Sequence, residues 1–124
     1  MEKLRPDVAS EMLRLSLLCR KADRVIAQSV GLSVDEMHCL NLLNSEKPTC
    51  VKNIIDLLGV SSTRTSKILR SLEHQGFVTR TLLESDRRME QISLTAKGLE
   101  ATRRLLALSS EIGSQIIGST AAEG

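Results

Sequence analysis

With 124 residues, 41% hydrophobic and 26% charged, the chain has the size and make-up of one globular domain rather than of a disordered or fibrous protein. Phe77 is its sole aromatic residue, which excludes recognition of single strands by base stacking and aromatic cages for cations, since both need several flat π surfaces. The net charge of +2 is unevenly spread, and residues 61–88 hold the largest basic excess, six Lys/Arg against three Asp/Glu.

No apolar run approaches the roughly 18 residues of a membrane span, and Glu2, Lys3, Arg5, Asp7 and Glu11 are unlike the start of a secretory signal. A soluble cytoplasmic protein without a membrane partner is expected. Cys19, Cys39 and Cys50 form no C-x-x-C pair, and any internal disulfide would leave one over. Reduced thiols follow from that arithmetic.

Val8, Met12, Leu15, Cys19, Ala22 and Ile26 recur at spacings of four and three, which predicts an amphipathic helix over residues 7–29, ended by Gly31. Leu17, Leu18 and Val25 widen its apolar face. A face so broad needs a cover, either the body of the domain or a second chain. Ser33 with Glu36 reads as a capping box for a second helix through Met37, Leu40, Leu42 and Leu43 to about Ser45, closed by Lys47-Pro48. Thr49 is placed to cap a third helix bearing Val51, Ile54, Ile55, Leu57 and Leu58, with Gly59 ending it in a left-handed conformation.

Ser61 or Ser62 then caps a fourth helix that buries Thr65, Ile68, Leu69 and Leu72, stopped by Gly76. Beyond Gly76 the period shortens towards two, predicting strands around 77–82 and 89–94 joined by a charged loop over 83–88. Thr95 caps a last helix through Leu99, Leu105, Leu106, Leu108, Ile112, Ile116 and Ile117, and the small-residue tail beyond it is expected to fray.

A helix, a Gly-containing turn, a second helix and then a two-stranded hairpin is the layout of a winged helix-turn-helix. In such a unit the second helix enters the major groove, while the hairpin reaches the neighbouring minor groove or phosphates. Opposite the buried positions of the fourth helix lie Thr63, Lys67, Arg70 and His74, flanked by Ser61, Ser62, Arg64 and Ser66. These are short hydroxyl donors and long cations, suited to base edges and phosphates, and residues 61–72 include no acid. Arg87 and Arg88 at the hairpin would carry guanidiniums into a narrow groove of negative potential, with Asp86 able to orient one by an ion pair.

Residues 32–100 resemble the DNA-binding domain of the MarR family of transcriptional regulators. The resemblance rests on Leu32-Ser33 with Leu40 and Leu43, on Gly59-Val60-Ser61, on Ser66-Lys67, and on Leu72-Glu73-His74-Gln75-Gly76-Phe77-Val78 with Arg80. It rests above all on Asp86-Arg87-Arg88 leading to Ser93-Leu94-Thr95-Ala96-Lys97-Gly98. The chain departs from the family pattern at Met37, near which an aromatic is common, and at Ile55, where a small residue is usual.

The resemblance implies a mainly α fold with a small two- or three-stranded antiparallel sheet, one structural domain in four parts. These are an N-terminal dimerisation helix (1–30), a winged helix-turn-helix DNA-binding lobe (31–98), a C-terminal dimerisation helix (99–118) and a frayed tail (119–124). It implies a homodimeric repressor on a palindromic operator of double-stranded DNA, with Arg88 in the minor groove, Asp86 supporting it and the fourth helix in the major groove. A small-molecule effector, which such regulators commonly answer, is the other expected partner. The C-terminal region is shorter than usual for the family, so Val8, Met12, Leu15, Cys19, Leu105, Leu108, Ile112 and Ile116 are the expected dimer interface.

Nothing points to an enzyme, a metal or a cofactor: there is no Ser-His-Asp set, no paired carboxylates and no glycine-rich phosphate loop. His38 and Cys39, neighbours on a helix, point about 100° apart and make poor common ligands. His38 therefore reads as a structural histidine, Cys19 as a small hydrophobe, and Cys50, near a helix start beside Lys52, as the better placed thiol for a lowered pKa. A second functional class stays open, a winged-helix module that binds another protein through the first helix or the polar face and has no operator of its own.

Overall fold

The structure, a computed structural model, describes residues 5–43, 47–83 and 86–123, with the backbone alone at residues 83, 86–89, 117 and 119–123. Helices α1 (Pro6–Ser29) and α2 (Val34–Leu42) lead to a short strand β1 (Thr49–Cys50), then to α3 (Val51–Leu58) and α4 (Ser62–His74). Strands β2 (Val78–Leu83) and β3 (Asp86–Leu94) form the hairpin, and α5 (Ala96–Glu123) closes the chain. The sheet is antiparallel in the order β1-β3-β2.

The helix starts follow local chemistry. Pro6 opens α1, where its missing N–H costs nothing, with Asp7 in the first turn. At α2 the capping box is complete: Ser33 Oγ accepts from the Glu36 N–H at 3.1 Å, and Glu36 Oε1 accepts from the Ser33 N–H at 2.9 Å. Ser61 Oγ caps α4 by accepting from the Arg64 N–H at 3.1 Å. Gly59 ends α3 at φ 69°, the left-handed conformation expected of it.

The core lies between α2, α3, α4, the sheet and the facing side of α5, with Leu40, Leu43, Ile54, Leu69, Leu72 and Ile92 fully enclosed. Truncating any one of these to Ala costs about 2–5 kcal/mol, the loss of transferred surface plus the cavity left behind. Thr65, Ile68, Leu69 and Leu72 are the buried positions of α4, as the spacing predicts. From α1, Ile26 and Ala27 are buried in the core, with Ala22 packed against it. Its N-terminal half leaves Val8, Met12, Leu13 and Leu17 exposed, Met12 and Leu13 at 68% and 67%.

Five expectations need correction. Thr49 does not cap α3; it pairs with Ile92 in β1, and Cys50 takes the N-cap position without a side-chain hydrogen bond. The reason is that β3 extends far enough to recruit a third strand, which holds residues 49–50 extended. Helix α2 stops at Leu42, with Leu43 as its C-cap, short of the expected end at Ser45, which lies outside the described residues. Of the expected loop 83–88, residues 84 and 85 lie outside the described residues, and the rest is strand: Leu83 pairs with Asp86, while Leu82 pairs with Glu90, so residues 87–89 are taken up in a ladder irregularity of β3. Helix α5 runs on to Glu123 instead of ending near 118, because the residues between Gly118 and Gly124 include no Gly or Pro to stop it. Finally, Leu105, expected at a dimer interface, is 3% exposed within the single chain, its surface already taken up by the core.

Candidate nucleic-acid interface

Burial of one stripe of α4 turns the opposite side outward. Thr63, Lys67, Arg70 and His74 are all exposed, with Ser61, Ser62 and Ser66 beside them. Neither Lys67 nor Arg70 has an ion-pair partner among the described residues, and no acid sits in the first turn of the helix. The face therefore combines open cations, hydroxyls and the positive end of a helix, a combination that attracts phosphate.

Arg64 is different. Its guanidinium is hydrogen-bonded to Asp35, in the first turn of α2. The next acid on α2 holds α4 further along: Glu36 Oε2 accepts from Ser71 Oγ at 2.7 Å and from Gln75 Nε2 at 2.9 Å. Burial alone would push the Glu36 carboxyl up, but hydrogen bonds from Ser71, from Ser33 and from Gln75 outweigh it and hold the group below its ordinary value of 4.5. Sequence reasoning identified Glu36 as half of a capping box and could not see this second use, which pairs residues far apart in the chain.

The hairpin is fastened to α4 at its base by Arg80. Its Nη1 donates to Glu90 Oε2 at 3.0 Å on the neighbouring strand, and its Nε lies 3.4 Å from Glu73 Oε1 on α4. The backbone of Asp86, Arg87 and Arg88 lies in β3 at the far end of this hairpin. The side chains of those three residues lie outside the described residues.

The stretch Thr95-Ala96-Lys97-Gly98, prominent in the sequence, is a brace behind the interface. Thr95 Oγ1 donates to the Gly76 carbonyl at 2.6 Å and accepts from the Gly98 N–H at 3.0 Å, capping α5. Thr95 N–H donates to the Phe77 carbonyl at 3.0 Å, and Lys97 Nζ donates to the Gln75 carbonyl at 2.8 Å while sitting 4.8 Å from the centre of the Phe77 ring. A Cβ on Gly98 would fall 2.0 Å from the Phe77 carbonyl oxygen, so only glycine allows this approach. Gly76, at φ 85°, makes the turn from α4 into β2 that the brace locks.

The remaining chemistry-bearing residues separate. His38 Nε2 is 3.0 Å from Asp23 Oδ2, which ties α2 to α1 and matches its reading as a structural histidine. Cys39 is fully enclosed, and burial, reinforced by the Glu36 charge, pushes its thiol up to about 12. Cys19 is exposed on α1 and Cys50 half-buried. Of the expected dimer residues, Val8, Met12 and Cys19 are exposed and Leu15, Leu108, Ile112 and Ile116 partly so. A cleft of about 260 Å³ opens between α1, α2 and α5, lined by Asp23, Met37, His38, Asn41, Leu105, Leu106 and Ser109. No helix among the described residues is long and apolar enough to cross a membrane.

Comparison with known proteins agrees with this geometry. Residues 32–89 match the MarR family. An HTH-type transcriptional regulator of Bacillus subtilis, YfiV, is 35% identical over 76 residues, which are 61% of this chain and 48% of the relative. The chain thus spans about half the length of the curated relative it matches. A MarR transcriptional regulator from Methanosarcina mazei superposes with a TM-score of 0.78 at 23% identity, over 93% of this chain and 83% of the other. A mutant of MepR from S. aureus, bound to an oligodeoxyribonucleotide, superposes with a TM-score of 0.70 at 19% identity, over 94% and 84% of the two chains. The exposed face of α4, the hairpin fastened to it and the match over residues 32–89 agree: the winged helix-turn-helix of this chain resembles that of the MarR family, and the chain as a whole has the fold of the MarR regulators it superposes on.

Proposed function

We propose that the chain is a homodimeric, sequence-specific regulator of transcription that binds double-stranded DNA in the cytoplasm and represses from a palindromic operator. The observation that carries this reading is the outward face of α4, where Lys67 and Arg70 stand without an ion-pair partner among the described residues, beside Thr63, Ser66 and His74. Helix α4 lies in the major groove, with Ser61, Ser62, Thr63 and Ser66 donating to phosphates and base edges. Arg87 and Arg88, supported by Asp86, reach the minor groove from the hairpin that Arg80 fastens to α4.

Dimerisation uses the segments outside the lobe 31–98. The exposed apolar half of α1, with Val8, Met12, Leu15 and Cys19, is joined by Leu108, Ile112 and Ile116 of α5, while Leu105 stays in the core. A small effector enters the cleft beside Met37 and His38 and releases the DNA by moving α1 and α5 relative to the lobe. Like the family, the chain is read as a regulator and not an enzyme. The likeness in fold to a MepR mutant bound to an oligodeoxyribonucleotide supports nucleic acid as the partner.

Fluorescence anisotropy against duplex DNA from upstream of its own gene, at two salt concentrations and with excess competitor, tests the reading. Saturable binding that survives competitor and weakens with salt is expected. The exposed apolar half of α1 also favours a second reading, a winged-helix module that docks on another protein. Replacing Lys67, Arg70 and Arg88 together by Ala separates the two, since it abolishes operator binding and leaves docking through α1 intact.

A further inference from the structure

Helix α4 has a third face. At about 100° per residue, Arg64, Ser71 and Gln75 fall within roughly 40° of one another, a quarter-turn from both the buried stripe and the face of Lys67 and Arg70. All three residues of this flank are held by consecutive acids in the first turn of α2: Arg64 by Asp35, Ser71 and Gln75 by Glu36. A helix gripped at its first and last turns along one flank cannot roll about its axis without breaking both contacts. Asp35 lies in the first turn of α2, at the positive end of that helix, where an acid is favourably placed.

We propose that Asp35 withholds Arg64 from nucleic acid: the pair forms one end of a clamp that sets the rotation of α4, making Asp35 a positioning residue that decides which side chains face the groove and how many cations meet phosphate. This rests on the DNA-binding reading above. Arg64, which by sequence belongs with the DNA-contacting cations, is then a fixed strut, and sequence discrimination depends on its staying one. Loss of Asp35 frees a cation beside the phosphates while loosening the roll of the helix, so non-specific affinity rises as specificity falls.

The test compares the full-length chain with Asp35→Asn, Asp35→Asn/Arg64→Ala and Lys67→Ala, using anisotropy on the upstream duplex and on random duplex across about 50 to 200 mM salt. Asp35→Asn is expected to steepen the salt dependence by about 0.9 in log K per log salt, one added phosphate contact, and to narrow the ratio of upstream to random binding. The double variant removes the added slope, and Lys67→Ala lowers the slope by about the same amount. A purely structural role for Asp35 would weaken binding without steepening it. An unchanged or shallower slope in Asp35→Asn, beside the expected loss in Lys67→Ala, overturns the proposal.

If no form of the chain binds duplex DNA in a salt-dependent way, the DNA reading fails first, and the clamp is judged by a urea-unfolding cycle. Coupling between Asp35→Asn and Arg64→Ala of up to about fivefold in the unfolding constant supports it, and additivity overturns it.

Discussion

Replacing Gly98 by Ala is the sharpest perturbation this fold offers, because local and tertiary physics pull in opposite directions. Considered as a helix position alone, Gly98 is the third residue of α5, and Ala there would gain about 1 kcal/mol. The added Cβ, however, would lie 2.0 Å from the Phe77 carbonyl oxygen, 3.0 Å from its carbon and 3.1 Å from Leu94 Cδ2. Carbon and carbonyl oxygen normally come no closer than about 3.3 Å, so backbone must separate by more than an ångström. That shift opens the Thr95 N–H to Phe77 bond at 3.0 Å and the Thr95 Oγ1 to Gly76 bond at 2.6 Å, and it pulls Lys97 off the Gln75 carbonyl at 2.8 Å.

Three hydrogen bonds at about 1 kcal/mol each, less the helical gain of about 1 kcal/mol, leave a net loss of about 2 kcal/mol. For a chain of this length that corresponds to a fall in Tm of roughly 6–10 °C. Thermal unfolding followed by circular dichroism at constant protein concentration measures it. A variant with an unchanged or raised Tm would show that helix propensity governs this position and that the close approach is not needed.

Other expectations follow from single groups. Because the Glu36 carboxyl is held below 4.5, its contribution to stability is complete above that pH and is lost as pH falls through the lower folded-state value. Urea midpoints taken on either side of pH 4.5 should fall more steeply for the wild type than for Glu36→Gln, and parallel curves would refute the assignment. Thr65 Oγ1 is buried without a hydrogen-bond partner among the described residues, so Thr65→Val, which keeps the shape and removes the hydroxyl, should stabilise by about 1 kcal/mol; a loss in the urea midpoint would contradict this. Cys39, enclosed and with its thiol raised to about 12, should resist a maleimide at neutral pH until the chain unfolds, whereas modification of the native protein at Cys39 would mean that α2 opens readily.

What the sequence by itself determined was whatever depends on neighbours in the chain. The period of three and four placed α1 and the buried stripe of α4, the Ser33–Glu36 spacing specified a capping box, and the change of period after Gly76 announced the hairpin. The polar face of α4 follows from the same arithmetic, since burying Ile68 and Leu69 leaves Lys67 and Arg70 outside. Residues 86–98 were legible as a family signature, but their physical division of labour was not. Tertiary structure decided that Thr95, Lys97 and Gly98 brace the turn at Gly76 and Phe77, that β3 recruits Thr49 into a third strand, and that Leu105 belongs to the core.

It also decided the fate of Arg64. In sequence this is one cation among several on a helix free of acids near its start. In space an aspartate 29 residues away occupies it. Local patterns report which side of an element is buried, because burial repeats with the helical period. They say nothing about which distant element lies along the flank, and at α4 that neighbour, the first turn of α2, determines whether a guanidinium is a strut or an open charge.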